Sequence, residues 1–208
     1  MKILMIDNYD SFTYNLVQYI EEIVEDKIDV FRNDAISLEE VGSYDVIFLS
    51  PGPGVPKDAG IMPELIQQYA STKNIFGVCL GLQAIGEAFG GELDNLEKVY
   101  HGVKTIVIRT EDDEPVFQNI EKVFDAGRYH SWVVKRENLP DSLEVTAIDE
   151  KGIVMGARHK KYNVRGVQFH PESIMTPDGK VMLRNFLEYS KKLMEEKINV
   201  QNKSVISD

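Results

Sequence analysis

The sequence predicts an α/β fold: an open, mostly parallel central sheet with flanking helices, to which antiparallel strands are added toward the C-terminus. Three observations predict it. In the first half of the chain short apolar runs alternate with amphipathic stretches, the pattern of strand–helix–strand units. The runs Lys2–Ile6 and Asp45–Leu49 are nearly all apolar instead of alternating, as central parallel strands covered on both faces are. From Glu92 onward the runs shorten into hairpin-like strands, and such a run appended to a parallel half extends or flanks the same sheet. We therefore read residues 1–198 as one domain and 199–208, polar and without period, as a flexible tail.

The elements follow in order. Lys2–Ile6 is a strand that ends at Asp7, and Asn8 to Ser11 turn the chain. Phe12, Leu16, Tyr19, Ile20 and Ile23 recur three and four apart and predict a helix that Asp10 or Ser11 caps. Ile28–Arg32 reads as a second strand, Ser37–Val41 as a short helix and Asp45–Leu49 as a third strand. Ser50 to Gly60 is too rich in Pro and Gly for regular structure. It lies at the C-terminal end of a strand, the edge where open α/β sheets bind ligands, so its backbone N–H groups suit an anion or an oxyanion; the plainer reading is a proline-stiffened connection. Ile61–Ala70 is a helix, and Ile75–Val78 a short buried strand. Leu82, Ile85, Ala88 and Phe89 fall at helical spacing. The later strands are Val103–Arg109, Val123–Gly127, Trp132–Val134, Leu143–Ile148, Ile153–Ala157 and Asn163–Gln168, and a last helix spans Gly179–Lys197.

Composition bounds the function. With 208 residues, 43% hydrophobic and 27% charged, the chain buries roughly 70% of its unfolded surface and needs no disulfide, metal or cofactor to fold. A formal charge of −11 opposes nucleic-acid and anionic-membrane surfaces. No run approaches the roughly 20 apolar residues of a membrane-spanning helix. A single cysteine forms no internal disulfide, and Asp7 interrupts the first apolar run before a signal-peptide core develops; the expected location is the cytoplasm.

That cysteine, Cys79, stands where strand gives way to helix, with Gly77 and Gly81 two residues to either side. A nucleophile at such a turn is the thiol counterpart of the serine elbow of α/β-hydrolases, the glycines leaving room for strained backbone and close helix–strand approach. A lone buried cysteine is also often a small hydrophobe. A free thiol with a pKa near about 8.5 needs a helix N-terminus, a histidine or both to act at neutral pH. Of the four histidines, His159 lies between Arg158 and Lys160 in a hairpin tip and reads as solvated; His101 lies at a turn without a pattern to interpret. His130 has no acidic neighbour suitably placed and reads as a wall residue or a buried hydrogen-bonder. His170 is delivered to the sheet edge by an apolar strand, and Pro171 restrains the backbone between it and Glu172, so that the carboxylate can orient the imidazole.

The stretches Asp7 to Asn15, Ser50-Pro51-Gly52-Pro53-Gly54, Gly77-Val78-Cys79-Leu80-Gly81-Leu82-Gln83, Arg128-Tyr129-His130-Ser131 and Phe169-His170-Pro171-Glu172-Ser173 occur in the order of the triad-type class I glutamine amidotransferases. Over Met1 to about Tyr189 the chain most resembles their anthranilate synthase and aminodeoxychorismate synthase glutaminase subunits. The resemblance implies a flavodoxin-like sheet and a Cys79–His170–Glu172 triad acting on glutamine. It implies an oxyanion hole of the Leu80 and Gly54 N–H groups, and a glutamine pocket of Gly52, Pro53, Gly54, Leu80, Gln83 and the backbone of Ser131 and Trp132. Gln83, one helical turn beyond Cys79, shares its face. Trp132 stands where the family usually has leucine, a departure that bears on pocket shape or partner contact and spares main-chain contacts. The implied partner is a separate chorismate-using synthase subunit, with the Asp7–Asn15 turn facing it. The alternative for the same fold is a non-catalytic redox or regulatory module with Cys79 as an oxidation sensor, which requires neither Glu172 behind His170 nor Gln83 one turn on.

Overall fold

In a computed structural model that describes residues 1–205, the strands form a nine-stranded sheet and a separate two-stranded ribbon. The first half alternates as its apolar runs require: β1 (Ile3–Asp7), α1 (Thr13–Val24), β2 (Asp29–Arg32), α2 (Leu38–Val41), β3 (Val46–Leu49), α3 (Met62–Tyr69), β4 (Asn74–Val78) and α4 (Leu80–Ala88). Then come β5 (Leu93–Asn95), β6 (Val103–Arg109), β7 (Val123–Arg128), β8 (Trp132–Val134), β9 (Leu143–Asp149), β10 (Val154–His159), β11 (Val164–Val167) and α5 (Gly179–Val205). The large sheet has the order β2-β1-β3-β4-β11-β10-β9-β6-β7. Pairing is parallel from β2 to β11 and antiparallel from β11 to β7.

The non-alternating strands are apolar because both faces are covered. Ile3 and Met5 of β1 pack with Leu16, Ile20, Phe48, Phe76 and Phe186 on the side of α1 and α5. Leu4 and Ile6 pack with Leu65, Ile66, Leu80 and Ala84 on the side of α3 and α4. Each face thus receives every second residue.

Four details differ from expectation. Helix α1 begins at Thr13 with Phe12 as N-cap and no side-chain cap; the Asp10 carboxylate instead accepts from Phe12 N at 2.8 Å, one residue too early to cap. β5 lacks an apolar signature and pairs with β8 outside the main sheet. His159 is buried, ending β10: its ring stacks on Tyr162 and its Nδ1 accepts from Lys161 N and Tyr162 N. The turn folds back over it, a tertiary contact that its charged neighbours conceal. Helix α5 continues to Val205, past the expected end at Lys197; of the expected tail, residues 206–208 lie outside the described residues.

Candidate active site

The site is built at the C-terminal edge of the parallel half. β4 ends at Val78 and α4 begins at Leu80, so Cys79 alone makes the turn, with φ 53° and ψ −101°. A non-glycine residue at such φ is strained. Its N–H donates to Val167 O of β11 at 2.8 Å, and its carbonyl accepts from Gln83 N at 3.1 Å. The flanking glycines permit the close approach of α4 that holds this turn: a Cβ on Gly81 would lie 2.6 Å from Leu49 O, and one on Gly77 would collide with Gly81 itself.

The Pro-Gly loop after β3 lies beside this turn. A Cβ on Gly52 would meet Asn8 Cβ at 2.6 Å and Leu80 Cδ2 at 2.9 Å; Gly54 has φ +76°. Buried Asn8 anchors the loop, donating through its N–H to Ser50 Oγ (2.9 Å) and through Nδ2 to Ser50 O (2.8 Å), and accepting from Asn33 Nδ2 (3.0 Å). Asp7 accepts from Thr13 Oγ1 at 2.8 Å and from Asp10 N at 3.2 Å. The Asp7–Asn15 stretch is therefore the brace of the loop. Pro53 and Leu80 share a cavity of about 340 Å³ with Asn8, Asn33 and Asp58. Among the described residues, neither Leu80 N nor Gly54 N donates a hydrogen bond, so both are free for a developing oxyanion.

His170 follows β11. Its N–H donates to Gly127 O at 2.9 Å, and its carbonyl accepts from Thr176 Oγ1 at 2.7 Å and Ser173 N at 3.1 Å. Its Nδ1 meets Glu172 Oε1 at 2.6 Å, and both side chains are buried. Tyr129 and Phe12 pack edge-on to the ring, with centroids 4.8 and 5.8 Å away. Nε2 makes no hydrogen bond. Burial disfavours the imidazolium, but the Glu172 carboxylate and the Cys79 thiol outweigh it and hold His170 well above the usual histidine range. A histidine closed at Nδ1 by a carboxylate and coupled at its other side to a thiol has the form of a nucleophile–base–orienter triad.

Gln83 is buried. Its Nε2 donates to Trp132 O at 2.8 Å and to Gln168 Oε1 at 3.3 Å. The Ser131 carbonyl accepts from Leu96 N at 2.8 Å, whereas Ser131 N makes no hydrogen bond among the described residues. In this segment the carbonyls are taken, and the Ser131 N–H is without an acceptor among the described residues.

Residues 4–189 match the sequence family described as glutamine amidotransferase class-I. The chain belongs to this family. Among its relatives, the anthranilate synthase component 2 of Cyanophora paradoxa is 47% identical over 188 residues, covering 89% of this chain and 97% of that protein. The aminodeoxychorismate/anthranilate synthase component 2 of Bacillus subtilis (strain 168) is 50% identical over 192 residues, covering 91% and 97%. The crystal structure of a glutamine amidotransferase from Thermotoga maritima superposes with a TM-score of 0.74 at 16% identity, covering 91% of this chain and 97% of that one; this likeness shows the shared fold. The amidotransferase core thus takes in the parallel half, the antiparallel extension and the start of α5.

Gln168 and Asp149 lie outside every one of the motif stretches. Gln168 donates through Nε2 to Cys79 Sγ at 3.4 Å; a polar residue closing an apolar strand two positions before His170 was the available signal. Arg128, fully buried, pairs with Asp149 at 2.7 Å and donates through Nε to His130 Nε2 at 3.0 Å; its partner comes from a distant strand. His130 is a buried hydrogen-bonder, its Nδ1 directed at Trp132 O (3.1 Å). Burial first, then the Arg128 charge, pushes its pKa down to about 3. His101 is exposed, its ring edge-on to Tyr129. Among the described residues no helix is long and apolar enough to cross a membrane.

Proposed function

We propose that the chain is the glutaminase component of an anthranilate synthase, splitting glutamine at Cys79, His170 and Glu172 and passing the ammonia to a separate chorismate-using synthase subunit. The observation that carries the chemistry is the strained Cys79 coupled to a buried His170 whose Nδ1 is closed by Glu172 at 2.6 Å. The pathway rests on the relatives, two of which are anthranilate synthase components 47% and 50% identical to this chain.

In this reading Cys79 Sγ attacks the side-chain amide carbon of glutamine. The carbonyl oxygen becomes an oxyanion received by the Leu80 and Gly54 N–H groups. His170 Nε2 gives its proton to the departing nitrogen, ammonia leaves, and a γ-glutamyl thioester remains. Water, deprotonated by His170, then attacks the thioester, releasing glutamate and restoring the thiol. Glu172 holds the imidazole tautomer and balances its charge. Gly52, Pro53, Gln83 and the Ser131–Trp132 backbone bind the substrate. With the synthase, chorismate plus glutamine yield anthranilate, glutamate and pyruvate. We place the protein in the cytoplasm, where a lone thiol stays reduced.

Cys79→Ser tests the proposal. With the synthase present it abolishes glutamine-dependent anthranilate formation and spares formation from ammonium salts; loss of both would make Cys79 a structural residue and sink the reading. The name of the Bacillus subtilis relative, which covers both syntheses, supports a second reading in which the chain also serves an aminodeoxychorismate synthase. Copurification with the native partner, followed by identification of the product made from chorismate, decides between them.

A further inference from the structure

Cys79 Sγ, Gln168, Gln83, the Trp132 carbonyl, His130, Arg128 and Asp149 form one unbroken hydrogen-bonded chain through the interior. The directions are fixed from two points, the Arg128 guanidinium at the far end and the Trp132 carbonyl in the middle. Arg128 is held by Asp149 at 2.7 Å and lies with its guanidinium 3.7 Å above the Tyr100 ring. A guanidinium only donates, so His130 Nε2 must accept and the imidazole proton must sit on Nδ1. That proton goes to Trp132 O, 3.1 Å away. A carbonyl only accepts, so Gln83 must present its NH2 group there, at 2.8 Å, and spend the second hydrogen on Gln168 Oε1 at 3.3 Å. Gln83 Oε1 is then left as an acceptor with no protein donor among the described residues. With its own oxygen taken, Gln168 can only turn its NH2 toward Cys79, where Nε2 lies 3.4 Å from Sγ.

We propose that Gln168 is a donor to Cys79 Sγ and that the Arg128–His130 pair acts as a positioning element, holding from behind the Trp132 carbonyl that sets the donor–acceptor order of the pocket. The proposal rests on the glutaminase reading for its meaning in turnover, because only there is Cys79 the nucleophile. Its chemical core, a hydrogen bond to the nucleophile, stands without substrate. A donor at the sulfur stabilises negative charge that develops there. His170 Nε2, without a hydrogen-bond partner, remains free to serve the leaving nitrogen. His130 is suited to the task because it stays neutral: a charged imidazole would carry protons on both nitrogens and would have to break from Arg128.

The test uses alkylation of Cys79 by iodoacetamide in the full chain. Gln168→Met keeps volume and removes the donor. A hydrogen bond to a charged group contributes about 1.5–3 kcal/mol, or about tenfold or more in an equilibrium. We therefore expect alkylation at pH 7 to slow about tenfold while a single cooperative melting transition is retained. Local unfolding would instead speed it. Alkylation at the wild-type rate or faster would overturn the assignment. His130→Phe removes the anchor of the chain, and His130→Asn keeps an N–H for the Trp132 carbonyl. Phe is expected to slow alkylation about threefold and to raise the KM for glutamine with the synthase present, and Asn to restore both toward wild type. If Asn were as impaired as Phe, or Phe were silent, His130 would not be positioning anything. Should His130→Phe fail to fold, Gln168→Met still decides the donor. Alkylation involves no glutamine: a wild-type chain that alkylates as expected but yields no glutamate in the synthase complex would refute the proposed function and leave the relay standing.

Discussion

The Glu172→Gln substitution isolates the part of the site that is electrostatic. Glutamine has the shape of glutamate and can still accept from His170 Nδ1, so the 2.6 Å contact and the surrounding packing survive while the charge is lost. Both partners are buried, His170 at 2% and Glu172 at 4% exposure, so water screens the pair weakly. For charges about 4 Å apart at an effective dielectric near 20, the attraction is about 4 kcal/mol. Imidazolium is present when Cys79 attacks and when ammonia leaves, so a variant whose ring rests neutral must form it for both steps without that attraction. Its loss corresponds to about 10³-fold in kcat. The proton affinity of His170 must also fall, because burial, the largest influence on it, then acts with less opposition. The limb of the pH–rate profile that reports loss of the imidazolium therefore moves to lower pH. The same reasoning governs stability. A histidine held above its unfolded value contributes stability in full below about pH 6.5 and loses it as pH rises through the folded value, a dependence that Glu172→Gln should flatten. The assay is steady-state glutamate release in the synthase complex across pH, with ammonium-dependent synthesis as the control for assembly. If the variant kept more than about a tenth of wild-type kcat, or if the limb moved upward, an orienting carboxylate would be the wrong account of Glu172.

Three further outcomes follow from the same geometry. His130 is held near pKa 3 against about 6.5 when unfolded, so the unfolded chain binds its proton first and stability falls as pH drops from about 6.5 toward 3. At pH 5 this group alone costs about 2 kcal/mol relative to pH 7.5, and urea titrations should show a shallower loss in His130→Phe. Gly81→Ala places a Cβ 2.6 Å from Leu49 O and should cost about 1–3 kcal/mol in urea unfolding, with kcat falling more than stability accounts for because the Cys79 turn is displaced; wild-type turnover would show that the close approach is incidental. Arg165→Met removes a cation 2.5 Å from the buried Glu114 carboxylate and should destabilise by about 3–5 kcal/mol, or roughly 10 °C in Tm, without changing the KM for glutamine.

The parts of this protein that are legible in sequence are those where one residue's chemistry is sufficient. Nearly unbroken apolar runs place β1, β3 and β4, because a strand covered on both faces has no polar side to show. Cys79 between two glycines marks the turn, because only small neighbours let α4 press on β3 and β4. His170-Pro171-Glu172 marks the base and its orienter, because their contact is local. What stayed hidden is what distant segments share. The link between Gln168 and Gln83 spans 85 residues, and that between Arg128 and Asp149 spans 21, and no local pattern records either. His159 misled for the same reason: its charged neighbours describe the outside of the turn, whereas its ring is decided by Phe89 and Tyr162 packing around it.

The antiparallel extension is the less conspicuous half of the site. The parallel half alone supplies a thiol, a loop with free N–H groups and a strand that ends near them, but it leaves His170 on a chain with nothing to stop it swinging. β7 provides the stop, since Gly127 O accepts from His170 N and Gly127 N donates to Thr176 Oγ1, which in turn donates to His170 O. Tyr129, just past β7, packs on the imidazole ring. The end of β7 also carries Arg128, which through His130 holds the Trp132 carbonyl that orients both pocket glutamines. A side chain at Gly127 would strike Ser173 Oγ at 2.8 Å, so this strand and the turn holding Glu172 are matched in shape as well as bonded.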